Sequence, residues 1–220
     1  MTETLNIQGL FPDCVISECC CITDEDYALY PEERALIRKA IAKRQKEFGA
    51  GRSCARRCLN RLGITGCVLS KQPDGSIAWP AGIVGSISHS NTWCGATVAR
   101  REDAVGLGFD IETVARMTRD IAKRVLTSLE MDWVSARHEN DARMWFTLMF
   151  SAKESIYKCL SPLVGKRIGF HDAQIIPSSE KLCFEARLNK KISSQIPSQS
   201  SMCGRYLLHE GDIFTGIFLK

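Results

Sequence analysis

The sequence contains no apolar run of the roughly 18 residues that a membrane-spanning helix needs. Its first residues, MTETLNIQGLFPD, also lack the basic start and the long apolar stretch of a secretory signal. Apolar residues make up 45% of the chain and charged residues 25%, which argues against an extensively disordered protein. We therefore predict a cytoplasmic, globular protein without a membrane span.

The eleven cysteines lack the paired C-x-x-C spacing that is typical of a structural zinc site. The most clustered of them are Cys14, Cys19, Cys20, Cys21, Cys54 and Cys58. Without an export signal, such thiols are expected to stay reduced. We interpret them as small buried or half-buried residues, with a metal or redox role as the alternative.

Acidic residues are almost absent from the most basic part of the chain. Ten Lys or Arg residues and one acid, Glu47, lie between Arg34 and Arg61, whereas the formal net charge of the whole protein is only +4. This local excess predicts a phosphate-rich partner, although a solvated helix face would give the same pattern. The stretch carries one aromatic residue, Phe48, and no stacking pattern, which disfavours nucleic acid.

The first part of the chain has helical patterns followed by strand patterns. Apolar spacing predicts helices over residues 31–49 and 53–62, the first ended by glycines. Three short runs with tight turns between them, at residues 83–90, 93–100 and 105–112, are typical of strands. Together they indicate a helix-and-sheet unit.

The same order recurs in the second part. Helical spacing dominates residues 117–160, and short strand-like runs alternate with polar turns from residue 173 onwards. Helices then strands, twice, predict an α+β fold of two similar halves, 1–103 and 104–220. We expect a pseudo-twofold arrangement with the active site in the cleft between the halves.

Two pairs of charged residues have spacings that suit phosphate chemistry. Asp110 and Glu112 stand at i and i+2 in VGLGFDIE, so in a strand they share a face, and such oxygens suit Mg²⁺. An exposed strand end would look the same. Glu154 and Lys158 stand at i and i+4 in FSAKESIYK, which suits either a surface ion pair or a grip on a diphosphate.

A third motif, GSISHS at residues 85–90, alternates hydroxyls with a histidine. A Ser–His pair suggests a hydrolase, but strand neighbours face opposite ways and the chain has no G-x-S-x-G elbow. Hydroxyls and an imidazole that donate to phosphate oxygens fit the pattern better.

Taken in chain order, four motifs resemble the 4′-phosphopantetheinyl transferase superfamily, in particular its branch associated with siderophore and other non-ribosomal peptide synthetases. They are GAGRSCAR, WPAGIVGSISHS, VGLGFDIE and FSAKESIYK. The likeness extends from about Phe48 to Lys158. Members of this family move the phosphopantetheine arm of coenzyme A (CoA) onto a serine of an acyl or peptidyl carrier protein and release 3′,5′-ADP.

The resemblance implies roles for four charged residues. Asp110, Glu112 and Glu154 would hold Mg²⁺ together with the CoA diphosphate, so that Asp110 also belongs to the CoA site. Lys158 would neutralise charge on the transferred phosphoryl group while contacting CoA. Glu154 would accept the proton of the carrier serine, directly or through a water.

The resemblance also implies a CoA site and a protein partner. Ser88 and His89 would bind CoA phosphates, and Arg52 would contact the nucleotide end. Carrier proteins are generally acidic around their modified serine, so we expect a basic, partly apolar docking surface. The candidates for it are Arg116, Met117, Arg119, Lys123, Arg124 and Leu126. One cleft within one chain requires no second subunit, so we expect a monomer.

Two other functions use the same residues. A Mg²⁺-dependent phosphodiesterase or nucleotide hydrolase would keep the metal and use water as the nucleophile. A non-catalytic CoA-binding module would keep only the phosphate contacts.

Overall fold

The computed structural model describes residues 3–114, 119–165, 168–196 and 201–220. Two antiparallel sheets and two long helices make up most of it. The strands are β1 (Ile16–Cys21), β2 (Ile83–His89), β3 (Trp93–Arg100), β4 (Gly106–Thr113), β5 (Ala173–Ser178), β6 (Cys183–Leu188), β7 (Ser201–His209) and β8 (Asp212–Leu219). The helices are α1 (Pro31–Ile37), α2 (Ala42–Arg61), α3 (Arg119–Val125), α4 (Ser128–Ser135), α5 (Glu139–Val164) and α6 (Lys190–Ser193).

The first sheet has the order β1-β3-β2 and carries α2 on one face. Small apolar side chains of the helix, among them Cys54, Ala55 and Cys58, pack with Ala96 and Val98 of β3 in one buried cluster. Because these side chains are small, the helix can lie close to the sheet. We refer to this sheet and its helix as the first half, and to the second sheet with its helix as the second half.

The second sheet has the order β4-β8-β7-β6-β5 and carries the 26-residue helix α5. The apolar stripe of the helix includes Leu148, Met149 and Ile156, which are almost fully buried against strand residues such as Ile213 and Ile217. Residues from the other face of this sheet, including Phe109 and Phe214, pack with Phe11 and Trp93 in a separate cluster between the halves. The α+β class predicted from the sequence is confirmed.

One predicted boundary is wrong. The glycines at 49 and 51 do not end a helix, because α2 runs through both of them to Arg61. A Cβ at Gly49 would stand 2.7 Å from Tyr27, and one at Gly51 would stand 2.9 Å from Ile87. These glycines therefore allow close packing instead of ending the helix. The helical structure is interrupted earlier, between α1 and α2.

The cysteines agree with their interpretation as reduced, packed residues. All eleven are free thiols, and only Cys203 is exposed. Burial raises the pKa of Cys58 and Cys159, which keeps these thiols protonated. In the described part of the chain, no helix is both long enough and apolar enough to cross a membrane.

Candidate functional site

A close crossing between α5 and β4 builds the centre of the site. A Cβ at Gly108 would lie 1.8 Å from the carbonyl oxygen of Ser155, and one at Gly106 would lie 3.0 Å from that of Cys159. Glycine is therefore required at residue 108 for the helix backbone to rest on the strand. Since alternate strand residues share a face, Asp110 lies on the side of β4 that meets α5.

Lys158 of α5 makes two hydrogen bonds to this strand and a third to β2. Its Nζ donates to Oδ1 of Asp110 at 2.7 Å, to Oγ of Ser88 at 2.9 Å and to the carbonyl oxygen of Phe109 at 3.1 Å. Ser88 also donates to Oδ1 of Asp110 at 2.9 Å and accepts from the backbone N–H of Ile111 at 3.3 Å. Three of the predicted residues, from β2, β4 and α5, thus meet at one point.

The second oxygen of Asp110 has no such partner. The residue is 3% exposed, and its Oδ2 is buried without a hydrogen bond. A buried carboxylate oxygen without a hydrogen-bond donor is energetically costly unless a positive group contacts it. The chemistry of this atom therefore suits a ligand of a cation. Glu112 follows two residues later on β4, and Glu154 precedes Lys158 by one helical turn.

The three carboxylates are not a preassembled metal centre. Within the described residues, no group of three or more His, Cys, Asp or Glu side chains is arranged to hold a metal ion. Glu112 and Glu154 are both half-buried, and each has an interaction of its own. The metal-binding set Asp110, Glu112 and Glu154 therefore stays a prediction, supported here only by the unsatisfied oxygen of Asp110.

A second group of charges lies at the end of β2, where His89 follows Ser88. The His89 Nε2 is hydrogen-bonded to Nη1 of Arg44, and it lies 3.6 Å from Oε2 of Glu47. Arg44 in turn donates to the same Glu47 oxygen at 3.3 Å. Lys43, the neighbouring cation of α2, donates to Oδ1 of Asn91 at 2.7 Å in the turn after β2. This end of the first half is therefore rich in donors for phosphate oxygens.

His89 is held towards its neutral form. Burial lowers its pKa below the usual 6.5, and the positive charges of Arg44 and Lys158 act in the same direction, while Glu47 opposes them. An arriving phosphate would oppose this shift because it stabilises the imidazolium. From the sequence, Glu47 was noted only as the one acid of the basic stretch and given no role in the site, although its i, i+3 spacing from Arg44 is a visible signal.

Arg52 is more enclosed than a residue on an open phosphate site. It is 4% exposed, its guanidinium lies 4.3 Å from the ring centre of Phe48, and its Nε is buried without a hydrogen-bond partner. Burial lowers the pKa of this guanidinium to about 10. No contact places Arg52 beside Ser88 or His89, so its assignment to the nucleotide end stays a prediction.

Much of the basic run is already paired with acids. Arg56 makes a 2.7 Å ion pair with the fully buried Glu33, and Arg61 lies 2.9 Å from Glu18 on β1. Lys46 pairs with Asp24. These cations are therefore engaged within the protein, and the phosphate interpretation stays a prediction that Lys43 and Arg44, beside the end of β2, fit best.

Two buried polar groups fix the position of α5. Thr215 of β8, the strand partner of Asp110, hydrogen-bonds through Oγ1 to Ser151 at 2.9 Å and to Ser155 at 2.7 Å. Lys153 is also buried, and its Nζ lies 2.7 Å from Oε2 of Glu130 on α4. In the sequence, neither the four-residue spacing of Ser151 and Ser155 nor the single charge of Lys153 shows which distant residue they bind. These two groups were therefore not predicted from the sequence.

The predicted docking surface is described only in part. Arg116 and Met117 lie outside the described residues, as does the side chain of Arg119. Lys123 and Arg124 are exposed, as predicted, but Leu126 is only 4% exposed and belongs to the core. A pocket of about 600 Å³ lies beside α3 and α4 and includes Lys123 and His171 in its lining.

Comparisons with known proteins agree with the motifs. A family model described as the 4′-phosphopantetheinyl transferase N-terminal domain matches residues 32–99, and one described as the 4′-phosphopantetheinyl transferase superfamily matches residues 106–208. The 4′-phosphopantetheinyl transferase PptT of Mycobacterium tuberculosis is 31% identical over 195 residues, which is 86% of this chain and 85% of that protein.

Two further relatives are similar over a shorter stretch. The 4′-phosphopantetheinyl transferase Svp of Streptomyces mobaraensis is 38% identical over 162 residues, 73% of this chain and 65% of Svp. Enterobactin synthase component D of Escherichia coli is 33% identical over 162 residues, 69% of this chain and 71% of that protein. All three matches cover more than two thirds of the present sequence.

Proposed function

Because this chain belongs to the 4′-phosphopantetheinyl transferase superfamily, as its motifs indicated, we propose that it moves the phosphopantetheine arm of CoA onto a serine of an apo carrier protein. The other product is 3′,5′-ADP. One observation carries the proposal: Ser88, Asp110 and Lys158 come from both halves of the fold and meet at one point. His89 is the last residue of β2, the strand that carries Ser88, and it is hydrogen-bonded to Arg44 of α2, so the two form a pair suited to phosphate.

The two halves have different tasks in this reaction. Residues 1–103 bind the nucleotide end of CoA through Arg44, Arg52 and His89. Residues 104–220 bind the diphosphate and supply the groups that act on the transferred phosphoryl. Because CoA contacts both halves through its diphosphate and its nucleotide, its binding depends on how the two halves are placed relative to each other.

The acidic residues suit a magnesium ion. Asp110, Glu112 and Glu154 would hold it, and the buried unsatisfied Oδ2 of Asp110 is the atom that supports this assignment. When bound, Mg²⁺ would neutralise the diphosphate and stabilise the charge that develops on the departing phosphate. No covalent enzyme intermediate is needed, since positioning for in-line attack supplies much of the rate acceleration.

The protein side chains handle the charge and the proton. Lys158 already binds an anionic oxygen at 2.7 Å, and a phosphoryl oxygen presents it with the same kind of acceptor. Glu154, one turn earlier on α5, accepts the proton of the carrier serine, directly or through a water. Serine is a weak nucleophile, so this proton must be taken as the hydroxyl attacks.

The partner is a carrier protein of a siderophore or other non-ribosomal peptide synthetase. Its acidic surface would meet the exposed cations Lys123 and Arg124 of the second half. We propose that the enzyme acts in the cytoplasm as a monomer, because both halves of the cleft come from one chain.

A mass measurement tests the function. The protein is incubated with CoA, Mg²⁺ and several apo carrier proteins, and a carrier that gains the mass of one phosphopantetheine arm on serine supports the proposal. Cleavage of CoA without any carrier protein would point to a hydrolase instead. Binding of CoA with neither outcome would point to a binding module.

Two alanine variants test the metal set. We expect Asp110→Ala and Glu154→Ala to abolish transfer while both proteins stay folded. Glu139→Ala is the matched control, since Glu139 lies in the first turn of the same helix and has an exposed side chain. Wild-type turnover by either of the first two variants at ordinary Mg²⁺ would contradict the assignment.

A third variant tests the nucleotide end. Arg52→Ala should mainly raise the KM for CoA and leave the KM for the carrier protein unchanged. Arg61→Ala, on the same helix but paired with Glu18, should change neither constant. An effect of Arg52→Ala confined to the carrier protein would contradict its placement.

A further inference from the structure

Serine hydroxyls join the two sheets where their edges meet. β2 is the last strand of the first sheet, and β4 is the first strand of the second. Within the described residues, no backbone-to-backbone hydrogen bond connects these two strands. The Ser86 Oγ instead accepts from the N–H of Phe109 at 3.0 Å and donates to the carbonyl oxygen of the same residue at 3.3 Å.

Ser86 and Ser88 repeat one register along this boundary. Ser86 pairs with Phe109 and Ser88 with Ile111, and both pairs are separated by 23 residues in sequence. A constant separation means that the two strands are parallel and keep the same register over these residues. A slip of two residues would displace one half against the other by roughly 6.6 Å.

The two serines differ in what else they contact. Ser88 reaches Asp110 and Lys158, so it belongs to the site itself. Ser86 is 4% exposed, and its hydroxyl is bonded to the backbone of Phe109. One hydroxyl thereby satisfies both the backbone N–H and the backbone carbonyl oxygen of Phe109.

We propose that Ser86 is a positioning residue that sets the distance between the nucleotide-binding half and the diphosphate-binding half. This inference rests on the proposed function, in which CoA spans both halves. The residues that follow Ser86 and Phe109 on their strands include His89 and Asp110, so the register at Ser86 determines how far apart these two groups lie. A ligand that contacts both halves depends on that register, and a ligand confined to the first half does not.

Calorimetric titration of two ligands separates these cases. In Ser86→Ala, we expect the Kd for CoA to rise about tenfold, which corresponds to about 1.4 kcal/mol. The Kd for 3′,5′-ADP, which lacks the pantetheine phosphate, should stay within about twofold of wild type because the first half is intact. Ser86→Thr, which keeps the hydroxyl, should restore the CoA affinity.

A matched control comes from the neighbouring strand. Thr97 of β3 is fully buried, and its Oγ1 has no hydrogen-bond partner. Thr97→Val should leave the Kd of both ligands unchanged. Ser86→Cys keeps the shape of the side chain with a slightly larger atom and a weak hydrogen-bonding group, and it replaces Ser86→Ala in the comparison if the alanine variant unfolds.

Two results would overturn the proposal. One is an equal loss of affinity for CoA and 3′,5′-ADP, which would mean general damage to the first half. The other is a Ser86→Ala variant that binds CoA as Thr97→Val does. If the wild type binds CoA but modifies no carrier protein, the proposed function fails, while the two Kd ratios still decide the role of Ser86.

Discussion

Replacing Gly108 with alanine should separate α5, the helix that carries Lys158, from β4, the strand that carries Asp110. The added Cβ would stand 1.8 Å from the Ser155 carbonyl oxygen, whereas contacts closer than 3.0 Å are essentially never found. Because this oxygen belongs to a helix backbone, a side-chain rotation cannot relieve the clash. The two elements must therefore move apart by about 1.2 Å, the difference between these two distances.

Such a displacement acts directly on the contact between Lys158 and Asp110. Their 2.7 Å hydrogen bond would lengthen beyond normal range. A misplacement of about 1 Å can cost roughly 100-fold in rate, and an overpacked core typically loses about 1–3 kcal/mol of unfolding free energy. We expect Gly108→Ala to show both effects, measured by carrier-protein modification and by urea unfolding.

Gly106→Ala is the matched control on the same face of the strand. Its Cβ would meet Sγ of Cys159 at 2.9 Å and the carbonyl oxygen of that residue at 3.0 Å, so a very small adjustment is sufficient. This variant should keep most of the activity and stability. If Gly108→Ala has the turnover and unfolding free energy of Gly106→Ala, the close crossing of helix and strand does not position the site.

Three further results are expected. Glu130→Gln should lower the unfolding free energy by about 3–5 kcal/mol in urea titrations, because it leaves the buried ammonium of Lys153 without its counter-charge. The control is Glu185→Gln, which breaks an exposed ion pair and should change the unfolding free energy by less than about 1 kcal/mol. Burial lowers the pKa of His89, so as the pH falls the unfolded chain takes up a proton near pH 6.5 before the folded protein does. When the pH is lowered from about 7.5 to about 5.5, the unfolding free energy of the wild type should therefore fall more than that of His89→Gln. Equal losses in the two proteins would contradict the lowered pKa. Thr215→Val, which removes the buried partner of two α5 hydroxyls, should cost about 1–3 kcal/mol in the same unfolding assay, and an unchanged midpoint would exclude a stabilising role.

The centre of the site could be predicted because its pattern is local. In GLGFDIE, glycines and acids alternate with Leu107, Phe109 and Ile111, and the structure buries these three apolar residues between the halves. The period of two predicted that Asp110 and Glu112 share a strand face, and the same alternation puts Asp110 opposite these three residues. Helical spacing likewise placed Lys158 one turn after Glu154.

The remaining features depend on partners that are distant in sequence. Nothing near Gly49 or Gly51 indicates that Tyr27 and Ile87 will pack against them, so a local reading makes these glycines helix ends. Lys153 lies beside Glu154 in the motif but is bound to Glu130, which is 23 residues away. Long-range packing, rather than local propensity, decides all of these positions.

The charges of the site are balanced within the protein, which has a consequence for the binding of CoA and a metal ion under the proposed function. Oδ1 of Asp110 is neutralised by Lys158, and Glu47 is neutralised by Arg44. Asp110 and Glu47 are buried and Lys158 is half-buried, so leaving any of these three without a partner would be costly. If Lys158 turns to a phosphoryl oxygen, Oδ1 of Asp110 loses its cation, and under the proposed function a metal ion on the neighbouring Oδ2 offsets that loss. It follows that the anion and the metal ion should each bind more tightly in the presence of the other, since the metal ion compensates Asp110 while Lys158 neutralises the anion.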